Sequence, residues 1–105
     1  AIQGFETYLR AFPRTQQSDD AQFYIGEAYQ LDGKMKEALG AYDRVIADFP
    51  TSDRAPDAYY KRGVVYGALN QPDRARESLE ATIKNFPNSE AANLARQLLA
   101  GRGRR

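Results

Sequence analysis

The chain has 105 residues, with 15 Lys and Arg against 14 Asp and Glu for a net charge of +1. So even a balance leaves no electrostatic footprint for nucleic acid or an anionic membrane. Cys and His are both absent, which excludes disulfides, thiolate or imidazole metal sites and His-based catalytic sets, and no cofactor is expected. No apolar run approaches the roughly 18 residues that a membrane-spanning helix needs. Because the first residue is Ala1 rather than Met, the chain is expected to be a piece of a longer one, and a missing leader carries no weight.

Six helices are predicted, with ends set to within a few residues. The first covers about 1–12, carries Ile2, Phe5 and Leu9, and stops at Phe12-Pro13. The second covers about 18–32. Ser18 suits its N-cap, Asp19 and Asp20 suit the positive end of its dipole, and Ala21, Ile25, Ala28 and Tyr29 form one face. Gly33 can take the left-handed position that ends it. The third, about 35–49, has Leu39, Tyr42, Val45, Ile46 and Phe49 on one stripe and stops at Pro50. Pro56 and Pro72 suit the first turns of the fourth and fifth helices, about 56–69 and 72–86, where a missing N–H costs nothing. Asn70 closes the fourth as Gly33 closes the second, and Pro87 stops the fifth. A last helix covers about 89–100, and Gly101 to Arg105 form a flexible basic tail. No stretch alternates with period two, so no strand is predicted.

These segments repeat. Phe12-Pro13, Phe49-Pro50 and Phe86-Pro87 recur every 37 residues, and other positions move with them. Ala1, Ala38 and Ala75 are in phase, as are Phe5, Tyr42 and Leu79, and Leu9, Ile46 and Ile83. Ala21 matches Ala58 and Ala95, Gly26 matches Gly63, and Tyr29 matches Tyr66. Short connections force neighbouring helices to pack antiparallel. The expected architecture is all-α: two complete hairpins with a single helix at each end, stacked as a right-handed solenoid in one domain over 1–100.

The pattern resembles the tetratricopeptide repeat. Gly26 with Tyr29 and Gly63 with Tyr66 match its first helix; Ala38 with Tyr42 and Ala75 with Leu79 match its second; Pro50 and Pro87 match its closing proline. Gly permits close approach of two backbones, and the aromatic is expected to fill the space beside it. The period departs from the usual one of about 34 residues, with the surplus in segments such as Phe49-Pro-Thr-Ser and Phe86-Pro-Asn-Ser. Lengthened repeats of this kind resemble those of the YbgF/CpoB family of the Tol-Pal system. The segments Phe23-Tyr-Ile-Gly-Glu-Ala-Tyr, Val45-Ile-Ala-Asp-Phe-Pro, Ala55-Pro-Asp-Ala-Tyr and Phe86-Pro-Asn-Ser-Glu-Ala-Ala carry the likeness. It implies a periplasmic adaptor of the cell envelope that binds TolA and coordinates cell-wall synthesis with outer-membrane constriction at division. The repeats are also similar to those of the outer-membrane assembly factor BamD, and a generic tetratricopeptide adaptor is the remaining alternative.

In stacked hairpins the first helices line the concave face. The residues expected to meet a protein partner there are Asp20, Phe23, Glu27 and Gln30, then Asp57, Tyr60, Val64 and Gly67, each set on one side of its helix. Phe23 and Tyr60 are aromatic anchors or core, with equal claims. Glu27 would repel a partner's terminal carboxylate, so the face is expected to suit a helix or extended segment bearing some basic residues. The first helix lacks a hairpin partner, so Ile2, Phe5 and Leu9 are expected to lie partly exposed and to favour self-association.

A catalytic reading finds little material. Asp19 and Asp20 point about 100° apart on a helix and serve better as terminal charges. Ser18, Ser52, Ser78 and Ser89 mostly read as caps, and Gly101 and Gly103 follow no strand that could make a phosphate loop. A plain structural spacer is the third class, and the apolar residues at 23, 60 and 64 argue against it.

Overall fold

The computed structural model describes residues 2–11 and 16–102. Phe12-Pro13, Ala1 and the last three residues, and with them the first helix stop and most of the expected tail, lie outside the described residues. Among the described residues six helices follow one another: α1 Ile2–Ala11, α2 Gln16–Leu31, α3 Met35–Asp48, α4 Ala55–Ala68, α5 Pro72–Asn85 and α6 Glu90–Arg102. Among the described residues there is no strand. Each helix packs on the next, and α4 also packs on α6, so that α2, α4 and α6 stack as the first helices of successive hairpins. The body measures 47 × 29 × 17 Å. No helix among the described residues is long and apolar enough to cross a membrane.

Helix ends follow local chemistry. Gly33 and Asn70 adopt φ of 76° and 59°. At the first, the Lys34 amide donates to the Tyr29 carbonyl at 2.9 Å and the Gly33 amide to Gln30 at 3.1 Å; at the second, Gln71 donates to Tyr66 at 2.9 Å and Asn70 to Gly67 at 3.1 Å. Both are Schellman closures, 37 residues apart. Phe49 and Phe86 leave α3 and α5 in the same way, with φ of −132° and −137°, and the proline after each prevents continuation. Pro56 and Pro72 lie in the first turns of their helices. Two boundaries differ from expectation. The second helix begins at Gln16, so Ser18 is a buried residue inside its first turn rather than its cap. The last helix runs through Gly101 and Arg102, which therefore are helical and not tail.

Inside each hairpin the glycine has a defined occupant, and it is not the aromatic three residues on. A Cβ at Gly26 would sit 2.5 Å from the Tyr42 ring, and one at Gly63 would sit 2.9 Å from the Leu79 side chain. The bulky residue of the second helix thus seats against the glycine of the first. Tyr42 is wholly buried with Phe23, Ala38, Val45, Ala58 and Val65, and Tyr29, Met35, Leu39, Ile46 and Leu69 pack around them. Its hydroxyl donates to Gln30 Oε1 at 2.7 Å, which satisfies a polar group that burial would otherwise penalise. Burial, and then the charge of Glu27, push the Tyr42 phenol above its ordinary range.

Candidate functional site

The face built by α2 and α4 is held together by an ion-pair network that grows from the turn before α4. Asp19, in the first turn of α2, accepts a hydrogen bond from Ser52 Oγ, and Ser52 Oγ in turn accepts the Arg54 amide at 2.9 Å. The Arg54 side chain reaches back to α2. Its Nε donates to Asp20 Oδ1 at 2.7 Å and its Nη2 donates to the Tyr24 hydroxyl at 2.8 Å. Its guanidinium carbon lies 5.0 Å from the Phe23 ring centre and 5.1 Å from that of Tyr24. A planar cation is suited to this combination of fork and stack. One turn further along, Lys61 pairs with Glu27 at 3.6 Å. The hydrogen bond that Arg54 donates to Asp20, opposed by burial and aided by neighbouring negative groups, raises the Arg54 pKa.

The expected partner residues fall into distinct environments. Phe23 is 3% exposed and packs on Tyr42 at 5.5 Å between ring centres, so it is core and not an anchor. Gln30 is half-buried and holds the Tyr42 hydroxyl. Asp20 and Glu27 carry cations of this chain, so their charges are paired internally, and Glu27 is no free charge set against a partner's carboxylate. Asp57, Tyr60, Val64 and Gly67 are half-buried on α4. Asp57 meets Arg54 only at 3.7 Å, and burial, with Glu90 and Glu27 opposing Arg54 and Lys61, leaves its pKa raised. Sequence reasoning missed Arg54, Lys61 and Tyr24, although both ion pairs span 34 residues, a regular offset between acid and base.

The serines divide in the same fashion. Ser89 Oγ accepts the Ala92 amide at 3.0 Å and is a genuine helix cap. Ser52 serves Asp19, and Ser78 is buried and accepts from Arg62 Nε at 3.2 Å. The carboxylates of Asp19 and Asp20 are engaged by the turn before α4, which gives them a structural task. No group of residues able to hold a metal ion occurs among the described residues.

On the opposite side, α1 and α3 flank a cleft of about 640 Å³ whose lining includes Leu9, Arg10, Gln22, Ile25, Arg44 and Phe49. Of the exposed-stripe residues on α1, Ile2, Phe5 and Leu9 are half-buried, and Phe5 stacks on Tyr24 with ring centres 5.7 Å apart.

Comparison with known proteins agrees with this architecture. The solved structure titled "Crystal structure of MamA" is similar, with a TM-score of 0.61 and 23% identity over 97% of this chain and 77% of that one. At that identity the likeness concerns the fold. No curated protein matches the chain. The family model described as tetratricopeptide repeat matches residues 20–52 and 57–89, each stretch one hairpin of α2 with α3 or α4 with α5 and together more than half of the chain. The chain belongs to the tetratricopeptide repeat family.

Proposed function

We propose that this chain is a protein-binding scaffold that receives a helical or extended segment of another protein along the face of α2, α4 and α6. Tetratricopeptide repeats generally act as interaction scaffolds and not as enzymes. The observation that carries the reading to this face is its uneven finish. Beside the internally paired charges of α2 lie Tyr60 and Val64 on α4 and Leu94 and Leu98 on α6, half-buried or exposed, with Leu94 38% exposed. Apolar side chains left partly open next to a rigid polar frame are the usual material of a binding surface.

The finer reading is that of a periplasmic adaptor of the cell envelope with TolA as partner, and its support is the segment resemblance to the YbgF/CpoB family. A role like that of BamD rests on the same lengthened repeat style. Calorimetric titration with the periplasmic part of TolA tests it. Binding that weakens at least about ten-fold with Tyr60→Ala, a loss of about 1.4 kcal/mol, supports both the partner and the face. A helical, folded sample that fails to bind TolA sinks the Tol-Pal reading. Binding that is indifferent to Tyr60→Ala sinks the choice of face.

A further inference from the structure

The repeat shows what the chain itself places on this face at one junction and omits at the next. Moving 37 residues along from the α2–α4 junction, Asp20 becomes Asp57, Phe23 becomes Tyr60, and Arg54 becomes Ala91. The first set is a carboxylate and an aromatic ring roofed by a guanidinium. The second keeps the carboxylate and the ring but has a methyl group where the cation was. The start of α6 lies on the Asp57 side of the junction: α4 packs on α6, and the Glu90 charge, next to Ala91, helps to raise the Asp57 pKa. The surroundings are negative. Asp20, Glu27, Asp57 and Glu90 outnumber Arg54 and Lys61 by two charges. Arg54 gives its short bond to Asp20 at 2.7 Å and meets Asp57 only through Nη1 at 3.7 Å, and Lys61 pairs with Glu27, so Asp57 is only partly compensated.

We propose that Asp57 and Tyr60 form a seat for an arginine side chain of the partner segment, in the place that Arg54 fills one junction earlier, with the segment's apolar side chains lying on Val64, Leu94 and Leu98. This rests on the scaffold reading of the α2, α4 and α6 face. The carboxylate gives a charge-assisted hydrogen bond and the ring gives a surface to stack on, a pairing that arginine satisfies and lysine only in part. The apolar residues beyond it sit where the first junction has the Glu27–Lys61 pair: the equivalent of Glu27 is Val64 and that of Lys61 is Leu98. The occupant is therefore a segment with one arginine followed by apolar residues, and not an acidic peptide.

Selection of a random dodecapeptide display library on the immobilised domain, followed by titration of the tightest peptide, tests this. The expected peptides carry an arginine beside apolar residues, and replacing that arginine with citrulline weakens binding at least about ten-fold, as does Asp57→Asn. Once the arginine is gone, Asp57→Asn has no further effect. Ala91→Arg installs the chain's own cation over the seat and blocks the peptide; should that buried position not accept the larger side chain, Asp57→Asn still decides. Peptides without a basic residue, or an affinity changed less than about two-fold by Asp57→Asn, overturn the seat while the scaffold reading stands if Tyr60→Ala and Leu94→Ala still weaken binding. A library that yields no binder to the folded domain counts against the scaffold reading and removes the seat with it.

Discussion

The two junctions along the α2, α4 and α6 face are built from equivalent positions and finished differently. At α2–α4 the contacts are Asp19 to Ser52, Asp20 to Arg54 and Glu27 to Lys61. At α4–α6 the same positions hold Pro56 and Ser89, Asp57 and Ala91, Val64 and Leu98. Ser89 shows how one change redirects another: with Pro56 in place of Asp19 it has no carboxylate to serve, and it caps its own helix instead. The hairpin cores differ in the same sense. Gly26 receives a rigid ring anchored by a hydroxyl bond to Gln30, whereas Gly63 receives a flexible Leu79. The first repeat is closed on itself by directional contacts. The second leaves apolar surface and an incompletely compensated carboxylate. A repeat protein can thus keep one fold while dividing rigidity and binding between neighbouring units.

The opposite side reverses the division. Between α3 and α5 the chain fills its own groove, since Arg62 on α4 reaches Asp43 at 3.1 Å and Ser78 at 3.2 Å and lies 5.0 Å from the Tyr59 ring centre. The equivalents between α1 and α3 are Ile25, Glu6, Ala41 and Gln22, which provide no such bridge, and there the cleft of about 640 Å³ is found.

Three substitutions and one double-mutant cycle probe the difference between the two repeats. Gly26→Ala carries the largest cost, because the new Cβ meets a ring that cannot bend away; about 3 kcal/mol is expected from chemical denaturation, at the upper end for overpacking. Gly63→Ala meets Leu79 at 2.9 Å and the Ala75 carbonyl oxygen at 3.3 Å; it is expected to cost somewhat less, because a leucine side chain can change rotamer where the ring cannot, and equal costs would remove the distinction between the two cores. Arg54→Ala follows, at about 2 kcal/mol, since it strips a charge-assisted bond and two ring contacts and leaves Asp20 without its cation. The Glu27–Lys61 pair is about one third exposed on each side, so a double-mutant cycle should give a coupling of only about 0.5 kcal/mol, fading with salt.

Asp57→Asn gives the smallest stability effect and one of opposite sign. The folded-state pKa of Asp57 lies above its ordinary value of 3.8, so the folded chain holds this proton more tightly than the unfolded one. The ionised carboxylate therefore detracts from stability at neutral pH, and the deficit disappears as the pH falls through the folded pKa to below the unfolded value. The substitution should raise Tm slightly at pH 7 and leave it unchanged near pH 3. A lower Tm at pH 7 would show that Arg54 compensates Asp57 fully. A residue that costs stability where it could bind a partner is the familiar compromise of functional surfaces.

Much of this was legible in the residues. The period of 37, the Phe-Pro stops and the left-handed Gly33 and Asn70 set the helix order almost to the residue, because backbone punctuation is local. The hairpin glycines were legible as close approaches, but their occupants, Tyr42 and Leu79, were not, since that choice depends on the helix opposite. Phe23 could not be assigned from spacing alone. The same helical position is sealed by Arg54 in one repeat and left half-open as Tyr60 in the next, and what decides is a side chain arriving from a turn 31 residues away. Ser18 looked like a cap only because the helix was expected to start at it, and α2 begins one half-turn earlier.

The measurement that bears most directly on the closed and open junctions is a residue-by-residue map, by amide and side-chain chemical shifts, of the surface touched by the tightest selected peptide. The signals of Asp57, Tyr60, Val64, Leu94 and Leu98 are expected to move on binding while those of Glu27 and Lys61 stay in place. Shifts centred on Glu27 and Lys61, or on the cleft between α1 and α3, would contradict that expectation.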